Sequence, residues 1–146
     1  MKSQFRILRR RQLERTLRPF LPAREVSRPQ KGWIRAIREA SGMTLRELAA
    51  RMKSSLSLAA QFERSEAGYR ITLKSLRQAA DALECDLVYA LVPRQGTLRD
   101  LAERRAIELA TPDVLAVEHT MALEDQAVGG VKQKIKEEAN RLLKRR

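Results

Sequence analysis

The 146-residue chain has one cysteine and one histidine, aromatic side chains make up 4% of it, and no apolar run comes near the length of a membrane span. With Cys85 alone, an internal disulfide and any cysteine-based zinc cluster are excluded. His119 stands without an H-x-x-x-H or H-E-x-x-H partner, and its neighbour Glu118 would point to another part of a helix, so the residue reads as a helix position in the segment Val117 to Gln126. Gly129-Gly130 interrupts a helical pattern and is no phosphate-binding loop. Cys85 has no histidine near it and reads as a small apolar residue closing a helix. These shortages predict a protein that is not an enzyme, with no metal and no cofactor. The arginine-rich start lacks the apolar segment of a secretory signal, so the expected location is cytoplasmic, away from membranes.

Positive charge is what the chain has in excess, +12 overall, and it is unevenly placed. Residues 1 to 53 hold 15 Lys and Arg against 4 Asp and Glu, while the remainder holds 15 against 14. Such a field attracts a polyanion and releases its counterions on contact, giving affinity that falls with salt. The run Arg9, Arg10, Arg11 reads either as an arm gripping a nucleic-acid backbone or as a solvated helix face, or a basic surface for an acidic partner. Phe5, Leu8, Leu13 and Leu17 make that segment helical and partly packed, and Pro19, Pro22 and Pro29 mark a linker after it.

Two short helical patterns then meet across a tight turn. Trp33, Ile34 and Ile37 form an apolar stripe that stops at Gly42, a residue suited to a left-handed helix end. Thr44 and Glu47 make a T-x-x-E capping box, and Leu45, Leu48, Ala49 and Met52 follow at i, i+3, i+4, i+7, with Met43 placed as a hydrophobic staple on Leu48. Ser55 caps a third helix in which Ala59 and Phe62 face inward while Ser57, Ala60, Gln61 and Arg64 share the outer side. A short exposed helix after a helix and a turn is the arrangement that reads base edges in a major groove. Ser65 to Arg70 reads as a loop, and Thr72 starts a further helix with Leu73, Leu76, Ala80 and Leu83 on one face.

This order of elements resembles the Cro/C1 (XRE) class of helix-turn-helix repressors over Gly32 to Leu83. The resemblance implies an arginine–glutamate pair, here Arg38 with Glu63, base-reading positions at Leu56, Ser57 and Gln61, and phosphate contacts near Thr44 and Ser55, with Arg70 a further candidate. The chain departs from the class where the turn glycine is replaced by Lys53, the apolar turn residue by Ser54 and an adenine-bonding amide by Leu56. Leucine cannot hydrogen-bond a base, though it can touch a thymine methyl. Longer phrases, GWIRAIREASGMTLRELA, TLKSLRQAADALECDLVYALVP and EHTMALEDQAV, resemble the bacterial family called mobile mystery protein A. That resemblance implies a Cro/C1-type regulator encoded beside a Fic-domain protein, as in a toxin and antitoxin pair.

After Asp86 the period changes. Val88, Tyr89 and Val92 crowd into a run ended by Pro93, which predicts a short β-strand at 86–93 pairing with a second copy across a twofold axis; the other reading is an apolar extended tail. Thr97 with Asp100 opens a helix carrying Leu98, Leu101, Ala102 and Leu109, Thr111-Pro112-Asp113 reads as a second helix start, and Val131, Ile135, Ala139 and Leu142 line a final helix. Thr120 and Glu124 fit two positions of the inhibitory helix that restrains Fic proteins, where a structural helix fits as well.

The predicted architecture is all-α: a basic helical arm and linker at 1–31, a Cro/C1-type helix-turn-helix bundle at 32–85, a dimerisation strand at 86–93 and a helical C-terminal extension at 94–146. The expected function is a sequence-specific, homodimeric DNA-binding regulator that represses its own promoter and partners a Fic-domain protein. The other reading is an interaction protein that inhibits its partner without reading double-stranded DNA.

Overall fold

The computed structural model describes residues 2–123 and 130–145, all of whose regular structure is helical. Helix α1 spans Lys2–Leu17 and is followed by a 3-10 run, Arg18–Glu25; α2 spans Trp33–Ala40, α3 Leu45–Arg51, α4 Leu56–Ala67, α5 Leu73–Ala82, α6 Leu98–Leu123 and α7 Val131–Arg145. The chain divides into two compact units, one formed by residues 25–89 and the other by residues 1–24 together with 90–146.

The unit at 25–89 holds α2 to α5 around Ile34, Leu48, Ala49, Met52, Ala59, Ala79, Ala82 and Leu83. Four of those eight are alanines, so the short helices approach closely and two larger side chains, Ile34 and Leu48, fill the centre. Full burial of each contributes about 1.5–3 kcal/mol. The helix starts follow the residues written at them. Thr44 accepts the N–H of Glu47 at 3.2 Å while Glu47 Oε2 accepts the Thr44 N–H at 2.6 Å, Ser55 accepts the N–H of Leu58 at 3.1 Å, and Thr72 accepts that of Ser75 at 3.1 Å.

The helix ends share one device. After α2, the N–H of Met43 bonds the carbonyl of Arg38 and the N–H of Gly42 that of Glu39; the pattern recurs with Ser54 to Ala49, Arg70 to Ser65 and Cys85 to Ala80. Each pattern needs a left-handed residue in between, and these are Gly42 (φ +71°), Lys53 (+52°), Tyr69 (+56°) and Glu84 (+57°). Only the first is the glycine the conformation favours. The loop expected at Ser65 to Arg70 is corrected accordingly: α4 runs on to Ala67, and the turn begins one residue later.

The second unit joins α1 to α6 and α7. Ala106, Ala110 and Ala139 are its buried centre, with Ile135, Leu142 and Leu143 packed against them. The Lys134 ammonium and the Glu118 carboxylate pair across the two helices, so α7 runs back along α6. Thr97 opens α6 as its sequence predicts, its N–H and hydroxyl both donating to Asp100 Oδ2, at 2.7 and 2.9 Å. Glu14 of α1 accepts the Arg99 N–H at 3.0 Å, which ties α1 to the start of α6.

In three places the structure differs from expectation. No strand exists among the described residues, and 86–93 is extended chain without a ladder. Crowded β-formers make a strand only when a second strand takes up their backbone groups, and none of the described residues supplies one. The helix start at Thr111-Pro112-Asp113 is not a start either, because α6 continues through Pro112. The proline removes one backbone donor, the Thr111 hydroxyl donates to the Ile107 carbonyl at 2.7 Å, and packing against α7 holds the helix together. The proline linker, finally, is partly a 3-10 run with Pro22 inside it.

Candidate nucleic-acid interface

Helix α3, the turn at 52–55 and α4 form the two-helix element, and α4 is fixed from three sides. At its start stands the Ser55 cap. In its middle, Glu63 Oε1 receives the Arg38 Nε–H at 2.5 Å, and Arg38 Nη1 also donates to the Met43 carbonyl at 3.0 Å. One guanidinium thereby joins α2, the turn before α3 and α4. The hydrogen bond to Glu63 raises the Arg38 pKa above its ordinary value, with burial opposing. Both side chains are nearly buried, and removing one partner of such a pair costs about 3–5 kcal/mol, because the other charge is left without compensation. At the end of α4, Arg28 donates to the carbonyls of Glu66 and Ala67 at 2.7 and 3.0 Å, a cation placed at the negative end of the helix dipole. The same guanidinium lies 3.8 Å from the centre of the Tyr69 ring.

With Ala59, Phe62, Glu63 and Glu66 turned inward, the rest of α4 forms an open face. Ser57, Gln61 and Arg64 are exposed at i, i+4, i+7, and Ala60 is half-buried among them. Leu56 is exposed at the first turn, as is Leu58. Ser55 is exposed and uses its oxygen as a cap acceptor, which leaves its hydroxyl proton available to an oxygen outside the protein. Thr44 is exposed too, but its hydroxyl donates to Glu47 Oε2 at 2.9 Å, so its proton is already committed. Arg70 is exposed just beyond α4. The expected base-reading positions thus stand together on one side of one helix, with chemistry suited to a major groove: a hydroxyl, an amide, a guanidinium and a leucine that can meet a thymine methyl.

Other candidates fall elsewhere. Arg10 and Arg11 line a trough among α1, α6 and α7, in the unit that lacks the helix-turn-helix. Thr120 is exposed on α6 and donates to the Ala116 carbonyl at 3.0 Å; Glu124 lies outside the described residues. His119 is exposed, and no group of acids, histidines and cysteines able to hold a metal is found among the described residues. Cys85 is a half-buried free thiol packed on the domain core.

Three residues that matter to this site escaped the sequence reading. Glu66, 4% exposed, receives the N–H groups of Trp33 and Ile34 and so caps α2 from another helix. Arg28 and Gly32 complete that arrangement. The available signal was that α2 begins after a glycine with no Ser, Thr, Asp or Asn to cap it, which requires an acceptor from elsewhere.

The geometry defines a helix-turn-helix domain. Residues 34–89 match the family model described as Helix-turn-helix, a DNA-binding class, over a stretch that ends where the compact unit ends. The match covers less than half of the chain, and the remaining helices lie outside it. No curated protein and no solved structure matches the chain. No described helix is long and apolar enough to cross a membrane.

Proposed function

We propose that the chain is a sequence-specific transcriptional regulator that reads double-stranded DNA through the outer face of α4. The observation that carries this is the grouping of Ser57, Gln61 and Arg64 on an exposed helix seated by the Arg38–Glu63 pair. The net charge of +12 adds attraction for any duplex, and the side chains on α4 add the choice among sequences. Footprinting on the DNA upstream of its own reading frame, at several salt concentrations, tests the proposal. A protected site that survives competitor DNA supports it; protection that spreads evenly and vanishes with salt counts against base reading.

The finer reading is a homodimer that represses its own promoter as the antitoxin-like partner of a Fic-domain protein. The partner rests on the resemblance to mobile mystery protein A. The dimer is supported by an apolar groove of about 250 Å³ beside Trp33, Ile37 and Leu76, bordered by Val88, which is 67% exposed. Two modules on a twofold axis read half-sites about one helical turn apart, where one module alone reads few base pairs. Sedimentation of the chain and of Val88→Arg tests it: the parent is expected as a dimer and the variant as a monomer, and a parent that sediments as a monomer at tens of micromolar refutes it.

A further inference from the structure

We propose that the trough formed by α1, α6 and α7 is a docking site for an acidic amphipathic helix of a partner protein. The trough, about 690 Å³, lies wholly within the unit outside the helix-turn-helix domain, and the proposal is independent of whether α4 reads bases. Its apolar lining is aliphatic, with Ile7, Leu109, Leu142 and Leu143 as the larger side chains. Arg6, Arg10 and Arg11 from α1, Arg99 and Arg105 from α6, and Lys144 from α7 supply its positive charge.

The charge is not neutralised from within. The two acids of the lining, Glu14 and Glu103, both serve Arg99: Glu14 takes its backbone N–H at 3.0 Å and Glu103 its guanidinium at 2.8 Å. Arg10, Arg11, Arg105 and Lys144 form no ion pair with a carboxylate among the described residues. Four cations around an aliphatic surface complement a ligand with carboxylates on one face and alkyl groups on the other.

The dimensions fit a helix. The lining runs from Arg6 to Glu14 on α1 and from Arg99 to Leu109 on α6, which at 1.5 Å per residue is about 12–15 Å, the length of two to three helical turns. A helix with leucines at i, i+3, i+4 and i+7 would set them on the aliphatic side chains and carry its glutamates to the arginines. A nucleic acid is the poorer occupant. Its phosphates have no alkyl face to place there, and no aromatic residue lines the trough on which an unpaired base could stack.

The test uses the full chain and a fluorescent peptide of about 14 residues with leucines at helical spacing and glutamates elsewhere, followed by anisotropy. The peptide is expected to bind, and a scrambled peptide of the same composition to bind about ten-fold more weakly or worse. Arg11→Glu combined with Arg105→Glu, both on exposed side chains, is expected to weaken binding by at least about ten-fold with an unchanged circular-dichroism spectrum. Lys74→Glu with Arg77→Glu, the same charge change on exposed residues of α5, is expected to leave peptide binding as it was. No binding, equal binding of the scrambled peptide, or equal loss in the two variants overturns the proposal. So does a duplex whose own binding is weakened more by the Arg11/Arg105 variant than by the Lys74/Arg77 variant and which displaces the peptide, or self-association that the Arg11/Arg105 variant abolishes.

Discussion

The Glu66 carboxylate and Gly32 fit against each other: a Cβ on Gly32 would stand 2.6 Å from Glu66 Oε2, and Gly32 has φ +84°. The absence of a side chain there lets α4 cap α2, with Glu66 Oε1 taking the Trp33 N–H at 2.7 Å and Oε2 that of Ile34 at 2.8 Å.

Gly32→Ala is therefore expected to lower stability by about 1–3 kcal/mol through the backbone conformation alone, with further loss where Glu66 is pushed off its donors. In urea unfolding, Glu66→Ala should show a large loss of its own, and the double variant should lose less than the sum of the two. Strict additivity would mean the two residues act separately.

Lys53 holds a left-handed conformation that costs a side-chain-bearing residue about 1–2 kcal/mol, while glycine in its place costs the folded state about 0.5–1 kcal/mol in chain entropy. Lys53→Gly is thus expected to stabilise the domain by up to about 1 kcal/mol. A urea midpoint that does not rise, with its slope unchanged, contradicts this.

On α4, Gln61→Ala is expected to weaken binding to the footprinted site by about 1–3 kcal/mol and to leave binding to random duplex nearly unchanged. Titration of both DNAs at one salt concentration separates the outcomes. Equal losses would remove Gln61 from base reading.

The acids of the two capping boxes contribute to the pH dependence, as does Glu39, whose carboxyl the Arg35 guanidinium holds below its ordinary value. Glu47 and Asp100 each take a backbone N–H and a hydroxyl, from Thr44 and Thr97 respectively, and these bonds hold both carboxyls below their ordinary values. A pKa lowered by folding means that the unfolded chain takes up the proton first, so this stability is present above the ordinary carboxylate range and is lost as pH falls through it, below about 4. Midpoints measured from pH 7 to pH 3 should fall on the acid side, and Glu47→Gln should flatten part of that fall. An acid limb identical in the variant would show that Glu47 contributes nothing to it.

What could be read in advance was local. The cap at Thr44, those at Ser55, Thr72 and Thr97, and the left-handed end at Gly42 each depend on residues within a few positions, and so does the outward face of α4. Arg38 with Glu63 spans 25 residues and was legible only because the order of helices resembles a known class. Glu66 with Gly32 was not, since neither residue signals a partner 34 positions away. Local grammar also misled. Thr111-Pro112-Asp113 spells a helix start that the packing of α6 on α7 overrides, and the β-formers after Asp86 spell a strand for which none of the described residues supplies a partner. The joining of α1 to α6 by Glu14 and Arg99, 85 residues apart, leaves no mark in either segment.

Ser55, the Arg38–Glu63 pair and Arg28 hold the start, middle and end of α4, so under the proposed function a duplex meets a reading surface that needs no ordering step. The consequence is kinetic. Rigid partners associate at about 10⁵–10⁷ M⁻¹s⁻¹, and the attraction of a basic protein for a polyanion raises that rate for every sequence alike. Discrimination then falls to dissociation, and an operator would be distinguished from bulk DNA by how long the protein stays on it.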